Sequence, residues 1–151
     1  MTYPILLIDW RTYPDLADNI WHAQMAGWPK LLTYCGPDLT TKKANRKSAM
    51  RYEHEGQSYH IPRILSRDEY PFACTLEGGD CWVGHIPPEQ NSAQGGLIAA
   101  FLRRHGIVGG CGEKSKFLVE VVNHPRGAVI TPDLGSSEGP AALAARTENS
   151  P

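Results

Sequence analysis

The sequence predicts a small α+β domain, and three of its stretches carry that reading. From Ser66 to Arg104 the residue types spell strand, turn, strand, helix. An apolar run, Tyr3 to Asp9, is followed directly by helix-forming residues. A second apolar run, Phe117 to Val122, closes the ordered part of the chain. At 151 residues one domain is the default, long enough to bury a real core.

Tyr3 to Asp9 reads as a buried central strand, because its apolar residues are nearly continuous. Tyr13-Pro14-Asp15 then opens a helix, with proline in the first turn and an acid at the positive end of the dipole. Leu16, Ile20 and Ala23 recur at helical spacing, and Gly27 with Pro29 ends the helix. Trp21 and His22 on this helix read as packing or surface residues. Lys30 to Tyr34 is a short strand, and the glycine-rich IVGGCGEK stretch after Gly106 is a flexible connector that lacks the phosphate-loop pattern.

Chemistry concentrates between Ser66 and Gly96. Pro71 biases Tyr70 away from the helical region, so the Tyr70-Pro71-Phe72-Ala73 run reads as extended, with Arg67-Asp68-Glu69 just ahead of it. Glu77-Gly78-Gly79-Asp80 is a turn whose glycines are free to take positive φ. The strand Cys81 to Ile86 follows and is stopped by Pro87-Pro88. A helix from Asn91 to Arg104 turns Leu97, Ile98, Phe101 and Leu102 to one face, and Asn91 and Gln94 share a side near its start. Each polar residue has a bland role: Asp68 capping a turn, Glu69 pairing with Arg67, Glu77 in the turn, Asn91 as helix N-cap.

Taken together, the strings RDEYPFA, EGG and PPEQNSAQGG resemble the extracellular, sporulation-type deoxyribonucleases of the NucA/NucB family. ILLIDWRTYPDLADNIWHAQMAG is similar to that family's opening strand and first helix, and FLVEVVN to its closing strand. The resemblance spans roughly residues 3 to 123, with Ser66 departing from the Asp or Cys often found before Arg-Asp-Glu. It implies a small ββα-metal-type nuclease fold, a short mixed or antiparallel sheet flanked by helices. It also implies a metal-dependent, non-specific endodeoxyribonuclease in which Asp68 stands where related enzymes use a histidine base. By the same resemblance Asn91 is a metal ligand, with Glu69 and Glu77 as further candidates for the metal or its waters. Arg67 meets the phosphate, and Gln94 supports the ligand shell. Hard oxygen donors suit Mg²⁺, with Mn²⁺ or Ca²⁺ as alternatives. An aspartate needs burial or acidic neighbours such as Glu69 to become an effective base near neutrality. His85 is the rival base, but it sits at the end of the second strand and reads as a packing or substrate-side residue. A non-catalytic nucleic-acid-binding module and an inactive nuclease relative are the competing readings.

Net charge is −1, so the overall balance does not announce nucleic acid. A local patch does: Lys42, Lys43, Arg46, Lys47 and Arg51 fall within Thr40 to Arg51 without one acid, and Arg63 and Arg67 continue towards the acidic centre. Alone, such a stretch is a solvated helix face; beside a nuclease site it tracks a phosphate backbone. Cys35, Cys74, Cys81 and Cys111 show no CxxC spacing, which argues against zinc. Reduced thiols are the first expectation, and disulfides such as Cys35–Cys74 the second. No apolar run reaches transmembrane length, so no membrane partner is expected. MTYPILLIDW does not read as a signal peptide. The domain is placed at 1–124, with 125–151 a mobile Gly/Ala/Pro/Ser-rich tail. The family occurs as secreted enzymes and as toxin domains of larger proteins. The expectation is therefore a chain secreted or delivered into a target cell, in the second case with an immunity protein as partner.

The basic stretch generates a measurable expectation. Replacing Lys43, Arg46 and Lys47 together by Ala weakens DNA binding and reduces the slope of log affinity against log salt by about 0.9 per lost duplex contact. An unchanged slope reduces the stretch to a solvated face.

Overall fold

The computed structural model describes residues 2–36 and 65–130. The basic stretch 40–51, Arg63 and the tail beyond Ile130 lie outside the described residues. In chain order the elements are β1 (Ile5–Asp9), α1 (Pro14–Met25), β2 (Leu31–Thr33), β3 (Ser66–Tyr70), β4 (Trp82–Ile86), α2 (Pro88–Arg104), a 3₁₀ turn (Glu113–Ser115) and β5 (Lys116–Val122). The architecture is α+β, consistent with a small ββα-type nuclease fold.

Two sheets share one helix. β5 is the centre of a mixed three-stranded sheet, parallel to β1 and antiparallel to β2. β3 and β4 form a separate antiparallel hairpin. α1 packs against β1, β5, both hairpin strands and α2. Its Leu16, Ala17, Ile20, Trp21 and Ala23 are buried against Leu6, Ile8, Leu32, Phe117, Val119 and Val121 of the sheet. β5 thus takes the centre, and the run expected as the central strand, β1, is an edge. Its alternate residues Ile5 and Leu7 face outward, so a continuous apolar run here covers one buried and one open face.

Polar side chains tie the two sheets across α1. Gln24 Nε2 donates to the Tyr70 hydroxyl and to the Val119 carbonyl, both at 3.0 Å. The Tyr70 hydroxyl in turn donates to the Pro29 carbonyl at 2.7 Å. Helix starts follow the prolines: Pro14 and Pro88 each occupy a first-turn position, where a missing N–H costs nothing. α2 therefore begins three residues before Asn91, which becomes a first-turn residue rather than the cap. Gly79 takes φ +110° in the expected Gly-Gly turn.

The cysteines follow the second expectation, a disulfide at Cys35, but with another partner than Cys74. Cys35 and Cys111 form a disulfide, and Cys74 and Cys81 stay outside it as thiols. Cys74 stays close through its carbonyl, which accepts from the Cys35 amide at 3.0 Å. The glycine-rich connector is consequently anchored: Cys111 N–H also donates to the Tyr34 carbonyl, and Ser115 Oγ to the Val108 carbonyl. Burial pushes the Cys81 thiol up to about 12, so it stays protonated. Beyond His124 the chain continues on the body, where Val129 is buried and its carbonyl accepts from Lys30 Nζ at 3.1 Å.

The disulfide spans 76 residues of sequence. Reducing it is expected to lower unfolding stability by about 2–5 kcal/mol. Urea midpoints with and without reductant measure this, and equal midpoints would exclude the bond.

Candidate active site

β3 alternates, and its inward positions Asp68 and Tyr70 are both buried. Asp68 is only 2 % exposed. Such a carboxylate is costly unless N–H groups replace its lost water. Three do so. Asn19 Nδ2 of α1 donates to Oδ2 at 2.7 Å, and Gln94 Nε2 of α2 donates to Oδ1 at 2.7 Å. The backbone N–H of Glu69 is the third donor. Two carboxylate oxygens offer about four lone-pair sites, so roughly one remains for the cleft. Burial pushes the Asp68 carboxyl above its ordinary value of 3.8, and the three donors oppose that shift without cancelling it. Burial, rather than the charge of Glu69, is the cause.

α2 supplies the second side of the site. Asn91 Nδ2 donates to the Arg67 carbonyl at 3.1 Å, which holds β3 against the helix. Gln94 Nε2 lies 3.5 Å from Asn91 Oδ1, as their three-residue spacing predicts. Arg67, Asp68, Glu69, Asn91 and Gln94 line one cleft of about 650 Å³, whose other wall includes Phe72, Ile98, Leu102 and Ile107. Arg67 Nε lies 3.7 Å from Glu69 Oε1.

The cleft's donors are of the kind a hard cation takes. Glu69 contributes a carboxylate and Asn91 an amide oxygen. Gln94 Oε1 is buried with no hydrogen-bond partner among the described residues. Among those residues no group of three or more His, Cys, Asp or Glu could hold a metal. A cation here would therefore draw on amide oxygens and retained waters beside one carboxylate, which suits Mg²⁺.

Other expected residues lie elsewhere. Glu77 is outside the cleft lining, and its two oxygens accept from the Thr33 backbone N–H and hydroxyl, each at 2.8 Å. It locks the end of β2. His85 sits opposite Arg67 in the hairpin register and is also outside the cleft lining. Lys42, Lys43, Arg46, Lys47, Arg51 and Arg63 fall outside the described residues.

Four participants escaped sequence reasoning. Asn19 holds Asp68, and Trp82 Nε1 donates to Asn19 Oδ1 at 2.9 Å. Gly84 faces Asp68 across the hairpin and gives Asn19 its space. Gln90 Oε1 accepts from the backbone N–H groups of Asp15 and Leu16, both at 3.0 Å, so α2 caps the start of α1. Two signals were present: an Asn on the Leu16–Ile20 stripe of a helix, and a Gly inside a strand.

The Deoxyribonuclease NucA/NucB family matches residues 20–115, a span that takes in β3, β4 and α2 with every cleft residue. The chain belongs to the NucA/NucB deoxyribonucleases. As a member of a deoxyribonuclease family it has DNA as its substrate. Asn19 lies one position before the matched span. No curated protein matches the chain. Among the described residues no helix is long and apolar enough to cross a membrane.

The raised Asp68 value fixes the sign of a stability effect in this NucA/NucB chain. The folded state holds the proton to higher pH than the unfolded chain does. Asp68 therefore favours folding when protonated, and that contribution is lost as pH rises from about 3.8 through the folded value. Asp68→Asn never ionises, and Gln94 can turn its Oε1 onto the new amide. The variant is expected to melt no lower than the wild type at neutral pH, with its relative advantage shrinking on acidification. Thermal melts across pH check this; a deficit that is largest at neutral pH would contradict it.

Proposed function

We propose that the protein is a metal-dependent, non-specific endodeoxyribonuclease in which Asp68 is the general base. The observation that carries this reading is a buried carboxylate, held by three N–H donors, opening onto a cleft with Glu69, Asn91 and Gln94 in a deoxyribonuclease family. A water at the free lone pair of Asp68 gives up its proton to the carboxylate as its oxygen bonds to phosphorus. The bond from phosphorus to the leaving sugar oxygen breaks, and that oxygen takes a proton. Holding Asp68 in one orientation confines the nucleophile to one direction of approach. Burial raises the affinity of the Asp68 carboxylate for the water's proton.

Glu69, Asn91 and Gln94 would hold a divalent cation, with Mg²⁺ first and Mn²⁺ or Ca²⁺ as alternatives. When bound, it neutralises charge that develops on the phosphate. Arg67 lines the same cleft, and in this scheme its guanidinium meets a phosphate oxygen. Glu77 has no part in this scheme, since its carboxylate is engaged with Thr33. The Cys35–Cys111 disulfide supports work outside a reducing cytoplasm, by secretion or delivery. Delivery as an antibacterial toxin with a neutralising immunity protein belongs to the same proposal and draws on the family's two settings.

Plasmid DNA with Mg²⁺ tests the reading. Cleavage is expected, and chelator should abolish it. Asp68→Asn should lose a factor of about 10²–10⁴ in rate while still binding DNA, and His85→Ala should keep most activity. Full cleavage by Asp68→Asn, or collapse in His85→Ala alone, would overturn the assignment. Binding without cleavage by the wild type would leave a DNA-binding module.

A further inference from the structure

Asn19 stands in the middle of α1, three residues after Leu16 and half-buried beside the buried stripe, where an apolar residue would pack at no polar cost. Both ends of its amide are engaged. Nδ2 donates to Asp68 Oδ2 at 2.7 Å, and Oδ1 accepts from Trp82 Nε1 at 2.9 Å. An indole nitrogen can only donate, so it dictates which end of the Asn19 amide faces it. The oxygen must turn to Trp82, and the nitrogen is thereby turned to the carboxylate. Were the amide reversed, oxygen would face oxygen at Asp68 and two N–H groups would face each other at Trp82. Trp82 therefore sets the direction of a hydrogen bond it does not itself make.

Space for this arrangement comes from the partner strand. Gly84 pairs with Asp68 in the hairpin register. A Cβ placed on Gly84 would fall 2.0 Å from Asn19 Oδ1 and 2.5 Å from its Cγ. Any side chain there expels the amide. A glycine in the centre of a five-residue strand weakens the hairpin, so its presence marks a close approach by another group.

We propose that Asn19 is a positioning residue for the Asp68 base, oriented by Trp82 and admitted by Gly84. This rests on the reading of Asp68 given above. The titratable neighbours of Asp68 are Arg67 and Glu69 on its own strand and Cys81 just before β4. α1 and α2 turn amides to it, while Asp15 is engaged by Gln90 and Asp18 by His124. Gln94 holds the other oxygen, so removing Asn19 leaves the carboxylate tethered at one oxygen and the Glu69 N–H, free to swing about the tether. The bond to phosphorus is then less often in line, while DNA contacts remain.

The test uses the full chain, plasmid DNA and Mg²⁺, with kcat, KM and melting temperature measured for each variant. Asn19→Ala and Asn19→Leu are expected to lower kcat by roughly 10- to 100-fold at unchanged KM. Trp82→Phe keeps the ring and loses the N–H, and should lower kcat in the same direction by less. Gly84→Ala should lower kcat in the wild-type background but have little further effect beside Asn19→Ala, where the added methyl has room. Such non-additivity is the signature of residues acting through one group. Leu at position 19 guards against a cavity effect, since it fills the space without a hydrogen bond.

Wild-type kcat in folded Asn19→Leu, or additive losses for Gly84→Ala and Asn19→Ala, would overturn the proposal. A kcat loss matched by an equal loss of folded protein in every variant would overturn it too. Failure of the underlying reading looks different: Asp68→Asn would then cleave normally, whatever Asn19 does.

Discussion

A carboxylate taken out of water must be solvated by the protein, and Asp68 imposes that constraint on the whole molecule. At 2 % exposure it needs N–H donors on both oxygens. β3 can offer only the backbone N–H of Glu69. The other two donors come from different helices, Asn19 on α1 and Gln94 on α2. Both helices must therefore meet at the hairpin, with their amide side chains converging on one point. Much of the arrangement around the cleft follows from this convergence.

α1 carries the larger share. Its apolar stripe covers the three-stranded sheet, and its polar insertions face the hairpin. Gln24 repeats, one and a half turns further along, what Asn19 does at the site. Its amide nitrogen reaches both the Tyr70 hydroxyl of β3 and the Val119 carbonyl of β5, so the two sheets are held at one separation. The start of the helix is capped from α2 by Gln90. A helix fixed at its start by one element and along its length by two sheets has little freedom to shift. Asn19 inherits that rigidity, and through it so does Asp68.

The disulfide acts on the same framework from the far side. It joins Cys35, two residues past the end of β2, to the loop before β5, and that loop carries Ile107 into the cleft wall. Glu77 works nearby, satisfying Thr33 at the end of β2 with both oxygens. Residue types that suit catalysis also suit this kind of closure, which is why Glu77 resembled a ligand in the sequence.

Local rules were readable directly. Prolines at 14 and 88 mark helix starts, glycines at 27 and 79 take positive φ, and the strand, turn, strand, helix order of residues 66–104 stands, with its first strand on Ser66–Tyr70 rather than on the Tyr-Pro-Phe-Ala run that follows. Those features depend on backbone sterics and short-range spacing, so the sequence by itself determines them. The family strings located Asp68, Asn91 and Gln94, which do meet at one cleft. What the sequence left open were properties of pairs far apart in the chain. β1 is an edge because β5, more than a hundred residues later, takes the centre. Cys35 joins Cys111 rather than Cys74 because the sheet brings β2 beside the loop leading into β5. Asn19 serves Asp68 because a glycine on a third element leaves room for its amide. An isolated side chain has no preferred partner among distant ones; only packing brings donor and acceptor to 2.7 Å, and so only the tertiary structure decided which polar groups make the site.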